Sequence, residues 1–310
     1  GTGTNDNGDD YDVPAIGFDQ AALIAYNCLL SYLGPTSDYG DARDASIAAV
    51  ADIWGVCSPE MIAVMNAWHA VGVGDAYPKA AVTVSDASIC AGESISLFAT
   101  GGVSYAWSGP GGFVSNAQNP VRNNAQVIHS GYYEVTATFS NGCEGTAGIN
   151  VIVNPLPAAT ALANPNPICS GNDLALSASG GATYSWSGPG GFISNAVSPN
   201  INDILVGQAG IYSVTVTSGA GCSNNANVNV IVNPTPVPTA LASPNPVCVG
   251  SVLILSSTGG AAYQWSGPNG FSSGKQNPAI LVSSENQEGL YTVTVTSAEG
   301  CFANTNVNVT

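Results

Sequence analysis

Two periodicities divide the chain. From about residue 80 onward, apolar and polar residues alternate in short runs. "SISLFATG" (94–101), "LALSASG" (174–180) and "LILSSTG" (253–259) each break at glycine, and "YYEVTATF" (132–139), "IYSVTVT" (211–217) and "LYTVTVT" (290–296) alternate in the same way. "INVIV", "VNVIV" and "VNVT" follow them as shorter third runs. A period of two sends successive side chains to opposite faces and predicts half-buried β-strands separated by turns. Before residue 80 the pattern is helical. "FDQAALIAYNCLLSYLG" ends at Gly34, "SDYGDARDASIAAVADIWG" opens near Ser37 and Asp38 and ends at Gly55, and "SPEMIAVMNAWHAVGVG" opens with Ser58, Pro59 and Glu60. Cap residue, N1 proline and terminal glycine predict three short helices joined by tight turns.

The strand pattern is itself repeated. Cys90, Cys169 and Cys248 are 79 residues apart, as are Cys143, Cys222 and Cys301, Trp107, Trp186 and Trp265, and Tyr133, Tyr212 and Tyr291. A fixed period of this size means tandem copies of one folded unit. The expected organisation is a helical subdomain at 1–77 and three copies at 78–154, 155–233 and 234–310, mostly β overall. Several short strands in about 80 residues read as a β-sandwich. The Pro-rich joints "VNPLPAAT" (153–160) and "VNPTPVPT" (232–239) favour extended, semi-rigid connections.

Composition narrows the function classes. Twenty acids stand against four cations, Arg43, Lys79, Arg122 and Lys275, for a formal charge of −16 over 310 residues. So few cations cannot neutralise a run of phosphates, which argues against nucleic acid as a partner. No apolar run approaches the ~18 residues that span a bilayer, so no membrane insertion is expected. Eleven of the acids precede residue 80, which again marks two kinds of domain. The chain starts at Gly1 without Met or a signal peptide and reads as a piece of something longer.

Each copy holds two cysteines 53 residues apart, and the spacing lacks the short knuckles of a zinc site. Pairing within each copy is the simplest expectation: Cys90–Cys143, Cys169–Cys222 and Cys248–Cys301, each contributing about 4 kcal/mol in the chain-entropy account. Cys28 and Cys57 are then expected to form a fourth bridge, free thiols being the alternative. Paired cysteines imply an oxidising, extracellular or cell-surface setting.

The three copies resemble the immunoglobulin-like and PKD-like repeats of bacterial surface proteins and adhesins. The resemblance rests on the Tyr-x-Trp strand and on Gly131/Tyr133/Val135, Gly210/Tyr212/Val214 and Gly289/Tyr291/Val293. It implies a topology with the cysteines moved away from the usual inter-sheet positions; we expect them at one common end of the sandwich. Residues from about Ile16 to Val73 resemble the C-terminal helical subdomain of thermolysin-like zinc metallopeptidases, carried by "IGFDQAALIAYNCLLSYL", "SDYGDARDASIAAVADIWG" and "SPEMIAVMNAWHAVGV". That family holds zinc through His-Glu-x-x-His and a downstream Glu, all upstream of this region. Its transition-state histidine precedes the stretch that begins here at Ile16, and "NDNGDDYDV" (5–13) contains none. No catalytic residue carries over.

The remaining candidates are few. Asp6, Asp9, Asp10 and Asp12 are a weak calcium candidate because hard cations favour clustered carboxylates, but their register departs from a calcium loop; a solvated, flexible loop is the alternative. His69 and His129 lack partners at ligand spacing. No G-x-S-x-G elbow, P-loop or Ser/His/Asp set is present. The hook "YAWSGPGGF" (105–113), repeated at 184–192 and 263–271, reads as structural. Trp107, Trp186 and Trp265 are expected core anchors with Tyr133, Tyr212 and Tyr291, and Pro110–Gly111 fits the centre of a type II turn with Asn269 tolerated in the third copy.

The expected function is a non-catalytic extracellular structural or adhesive segment: a stalk, a spacer or a fibre subunit that self-associates or attaches to cell-surface components. Association with the type IX secretion route is implied by the resemblance alone. The alternatives are the C-terminal part of an active secreted zinc metalloendopeptidase, or carbohydrate-binding repeats. The polar ending "NTNVNVT" (304–310) is an expected edge strand, paired by default within its own copy and otherwise with a neighbour.

Overall fold

The computed structural model describes residues 1–282 and 284–310, which form two compact units, Gly1–Pro155 and Leu156–Thr310. In the first unit a hairpin of β1 (Thr2–Thr4) and β2 (Asp10–Asp12) leads into α1 (Phe18–Ser31), α2 (Tyr39–Trp54) and α3 (Pro59–Ala70). The helix starts follow the cap chemistry. Asp38 accepts from Asp41 N–H at 2.9 Å while Asp41 accepts from Asp38 N–H at 3.0 Å, a reciprocal cap for α2. Ser58 accepts from Met61 N–H at 3.1 Å, with Pro59 in the first turn of α3. Gly55, at φ 93°, ends α2. Ile24 and Cys28 of α1, Ala45, Ala49 and Val50 of α2, and Met61 and Val64 of α3 make the helical core. Trp68 Nε1 donates to Ser46 Oγ at 2.7 Å and locks α3 on α2.

The N-terminal acidic stretch forms an antiparallel hairpin, with Thr2 facing Asp12 and Thr4 facing Asp10. Asn5 Oδ1 accepts from the N–H groups of Asn7 and Asp9 at 3.0 and 2.9 Å, closing the β1–β2 turn. Its Nδ2 donates to His69 O at 2.8 Å and ties the hairpin to the end of α3. An asparagine side chain that mimics a turn accounts for this geometry.

Copy 1 contributes β3 (Ala81–Val84), β4 (Ser88–Cys90), β5 (Ile95–Thr100), β6 (Ser104–Gly109), β7 (Phe113–Ser115), β8 (Val121–Arg122), β9 (Gly131–Thr138) and β10 (Glu144–Asn154). Two sheets, β3-β5-β8 and β4-β10-β9-β6-β7, face each other across one core. Copy 2 has β11 (Thr160–Asn164), β12 (Ile168–Cys169), β13 (Leu174–Ser179), β14 (Thr183–Gly188), β15 (Phe192–Ser194), β16 (Asn200–Ile201), β17 (Gly210–Thr217), β18 (Ser223–Val230) and β19 (Val232–Asn233). Its sheets run β11-β13-β16 and β15-β14-β17-β18, with β12 beside β19. Copy 3 has β20 (Thr239–Ser243), β21 (Val252–Thr258), β22 (Ala262–Ser266), β23 (Ser272–Ser273), β24 (Ala279–Leu281), β25 (Gly289–Thr296) and β26 (Phe302–Val309), in sheets β20-β21-β24 and β23-β22-β25-β26. The terminal β26 pairs antiparallel with β25 over eight registered positions, within its own copy.

The hook builds each core. Trp107, Trp186 and Trp265 are buried, and each indole N–H donates to a backbone carbonyl: Ala117 O at 3.0 Å, Ala196 O at 3.1 Å and Gln276 O at 3.2 Å. Tyr133, Tyr212 and Tyr291 are fully buried, and each hydroxyl donates four residues back, to His129 O, Gln208 O and Gln287 O at 3.0, 2.9 and 2.8 Å. This is the tyrosine corner of sandwich folds. Phe113, Phe192 and Phe271 meet these tyrosines edge-on at 5.4–5.5 Å. The hook glycine has a contact reason: a Cβ on Gly109 would stand 2.5 Å from Cδ1 of Tyr133, and Gly188 and Gly267 face Tyr212 and Tyr291 in the same way. At the turn, Gly111 has φ 61° and Asn269 has φ 54°, the left-handed conformation expected there.

Candidate functional site

Among the described residues the chemistry-bearing side chains do not form a catalytic constellation. Asp10 accepts from Thr4 Oγ1 at 2.9 Å, and Asp9 lies 3.4 Å from Asn5 Nδ2. Asp6, Asp9, Asp10 and Asp12 therefore spread along a hairpin instead of converging, and the calcium site considered for them does not assemble. Among the described residues no group of three or more His, Cys, Asp or Glu side chains is placed to hold a metal ion. His69 Nδ1 lies 3.2 Å from Gly74 O at the end of α3. His129 Nδ1 accepts from Gln126 N–H at 3.0 Å, and desolvation together with the Arg122 charge holds its imidazole below the usual histidine range. Arg122 is itself bound to the hook, donating to Pro110 O at 2.5 Å and lying 5.5 Å from the centre of the Phe113 ring. Both histidines thus serve local structure. Among the described residues no helix is long and apolar enough to cross a membrane.

The structure instead organises the cysteines, and it pairs them differently from the expectation. In the first unit Cys57, in the turn between α2 and α3, bonds Cys143 in the β9–β10 turn, with Cα atoms 5.4 Å apart. In the second, Cys169 bonds Cys301, at 5.6 Å. Cys90 and Cys222 are also disulfide-bonded, whereas Cys28 and Cys248 carry free thiols. The expected Cys28–Cys57, Cys90–Cys143, Cys169–Cys222 and Cys248–Cys301 bridges are therefore corrected.

The physical reason lies in strand direction. Cys90 stands beside Asn154, at the last residue of β10, whereas Cys143 immediately precedes its first residue. Eleven residues of strand separate these points, roughly 35 Å at about 3.3 Å per residue. A disulfide requires Cα atoms about 4.4–6.8 Å apart. Both β5 and β9 start at the Asn154 end, so the start of one and the end of the other cannot share a pole. Copy 2 repeats the arrangement, with Cys169 beside Asn233 and Cys222 immediately before β18. Each copy thus carries one cysteine at its leading pole, where the chain enters, and one at its trailing pole, where it leaves. Cys28 is excluded from bonding Cys57 because it points from α1 into the helical core, with Ile24 and Val50.

Cys57–Cys143 therefore binds the helical subdomain to the leading pole of copy 1. The contact around it is apolar: Tyr77 meets Phe139 edge-on at 6.1 Å, and Ala80, Ala137 and Cys143 pack beneath them. Asn66 clamps the approach, donating to Asp12 O at 2.9 Å and accepting from Tyr77 N–H at 2.8 Å. The adjoining cleft, about 300 Å³, is lined by Ile62, Asn66, Tyr77 and Phe139, with Asp12, Lys79 and Glu144 as the charged residues of its wall. Sequence reasoning missed both the clamp and the pairing. Strand direction could have excluded pairing within a copy, since two strands that run in the same direction put the start of one and the end of the other at opposite poles.

Comparison with known proteins bears on the helical part. Residues 4–73 match the family described as thermolysin metallopeptidase, alpha-helical domain. Bacillolysin of Bacillus caldolyticus and thermolysin of Alicyclobacillus acidocaldarius are each 43% identical over 61 residues, 20% of this chain and 11% of theirs. A transglutaminase-activating metalloprotease of Streptomyces mobaraensis is 38% identical over 73 residues, 24% of this chain and 9% of its own. The chain thus spans about a tenth of the length of these curated relatives. The β-region resembles solved structures only weakly. A bacterial ice-binding adhesin superposes with a TM-score of 0.31 and 15% identity over 75% of this chain and 97% of its own. Murine CEACAM1b does so with a TM-score of 0.30 and 10% identity over 50% and 100%. The chain therefore combines a helical subdomain similar to the alpha-helical domain of thermolysin metallopeptidases with a largely β-sheet region.

Proposed function

We propose that this chain is a non-catalytic extracellular segment with a structural or adhesive role, in which a helical subdomain (1–77) and three immunoglobulin-like sandwiches (78–154, 155–233, 234–310) are tied by disulfides that cross module boundaries. The tyrosine corners and buried hook tryptophans support the sandwich reading. The observation that carries the function is the wiring: Cys57–Cys143 and Cys169–Cys301 each join one segment to the next. A bond inside a copy stabilises that copy. A bond across a joint keeps two neighbours together when the joint is under load, which is what a stalk or fibre subunit requires. Bonded cysteines also support an oxidising, extracellular setting.

Single-molecule pulling tests this reading. With Cys169–Cys301 closed, the 132 residues it spans are withheld from extension. Reduction should release roughly 450 Å more contour length from Leu156–Thr310, at about 3.3–3.6 Å per residue. Equal extension before and after reduction would show that the bond lies off the load path and would refute the proposal.

A second reading, part of a secreted zinc metalloendopeptidase, is favoured by the family match at residues 4–73 and by the apolar residues Phe18, Tyr26, Leu29 and Leu30, exposed on α1. Caseinolysis abolished by a chelator would support it over the first.

A further inference from the structure

The trailing pole of copy 3 is built like that of copy 2 but is unoccupied by a partner cysteine. In copy 2, Ile168 N–H donates to Ile231 O at 2.9 Å; in copy 3, Val247 N–H donates to Thr310 O at 2.8 Å, both partners displaced by 79 residues. Asn166 Nδ2 donates to Asn229 O and its Oδ1 accepts from Ile231 N–H, at 2.8 and 3.0 Å. Asn245 does the same with Asn308 O and Thr310 N–H, at 2.8 and 3.0 Å. The residue that follows in this frame is Cys169 in copy 2 and Cys248 in copy 3. Cys169 bonds the leading-pole cysteine of the next copy, Cys301. Cys248 is exposed and free.

We infer that Cys248 is the attachment thiol for a further repeat of the same design, and that its partner is the leading-pole cysteine of that repeat, the counterpart of Cys143, Cys222 and Cys301. A second copy of this chain is a poor partner, because its leading-pole cysteines are already engaged: Cys143 and Cys301 are bonded to Cys57 and Cys169, and Cys222 is bonded too. The single other free thiol among the described residues, Cys28, is buried in the helical core. A further repeat would instead offer a leading-pole thiol that nothing in this chain already engages.

The bond forms by thiol–disulfide exchange with a small-molecule or oxidoreductase disulfide as oxidant. The Cys248 thiolate attacks one sulfur of that disulfide and releases the other as a thiol. The thiolate of the following repeat then attacks the mixed disulfide and releases the second. Two thiols lose two protons and two electrons, and the oxidant is reduced to two thiols.

The inference rests on the cross-boundary wiring proposed above, but its test is separate from the pulling experiment, because thiol connectivity can fail while load bearing holds. The full chain is prolonged after Thr310 by one more copy of residues 232–310, oxidised, alkylated and mapped without reduction. The expected result is a peptide linking Cys248 to the added counterpart of Cys301. Alkylation should move from Cys248 to the added counterpart of Cys248. Serine in place of the added Cys301 counterpart should return the label to Cys248. Hydrogen exchange on the added strand corresponding to β25 verifies folding. A folded added copy with Cys248 still alkylated would overturn the inference, as would Cys248 staying blocked in the serine variant. A Cys248–Cys248 dimer as the main oxidised product of the 310-residue chain would overturn it too, by making a second molecule the partner.

Discussion

Gly188→Ala isolates the contact that makes the hook glycine necessary. Gly188 is extended, at φ −168°, so alanine meets no backbone strain there. The obstacle is the Tyr212 ring. The new Cβ would lie far inside the ~3.5–4.0 Å separation of carbon atoms in contact, so the ring must move by more than about 1 Å. Tyr212 is fully buried, edge-on to Phe192 at 5.5 Å, and tethered by its hydroxyl to Gln208 O at 2.9 Å. Overpacking of this kind costs about 1–3 kcal/mol. Breaking the tether leaves a carbonyl unsatisfied, for about another 1–3 kcal/mol. The lower entropy of unfolded alanine returns about 0.4–1 kcal/mol. The net expectation is about 3 kcal/mol, or roughly 100-fold faster hydrogen exchange in β17, measured by mass spectrometry at its own peptides. Ser187→Ala, at the exposed neighbour, should change exchange less than about threefold. In a Tyr212→Leu background the Gly188→Ala change should become nearly neutral, because the ring is gone. An acceleration below tenfold, or an undiminished cost in the leucine background, would refute the steric argument.

Three further outcomes follow from the structure. Replacing Cys169 and Cys301 together by serine removes a loop of 132 residues and should destabilise Leu156–Thr310 by up to about 5 kcal/mol, read as a lower denaturant midpoint under oxidising conditions. An unchanged midpoint would place the bond's contribution elsewhere. The Tyr212 and Tyr291 phenols are pushed up by burial. Their protonated forms are favoured by folding, so this stability is full below the unfolded value of about 10 and is lost as pH rises through the higher folded values. Circular dichroism should show unfolding setting in above about pH 10, and a midpoint insensitive to pH there would contradict it. Ser58→Ala should cost about 1 kcal/mol by removing the cap on Met61 N–H, with faster exchange confined to the first turn of α3.

Much of the local structure is decided within short windows of sequence. The second and third helices follow from Asp38, Gly55, Ser58 and Pro59, because capping and termination involve residues only a few positions apart. The strands follow from period-two alternation, and Trp107, Tyr133 and their counterparts could be assigned to the core because the varying hook residues share the solvent face. The 79-residue period announces three equivalent units with equivalent cysteines. Sequence could not equally decide which thiols meet. Pairing depends on which pole each strand ends at and on which neighbour faces that pole, and spacing along the chain carries neither. The 53-residue interval made Cys90 and Cys143 look like partners, but β10 holds them at opposite ends of the copy. The Asn5–His69 tie, the Asn66 clamp and the Gly188–Tyr212 contact were hidden for the same reason: each joins groups that only the tertiary fold brings within a few ångströms.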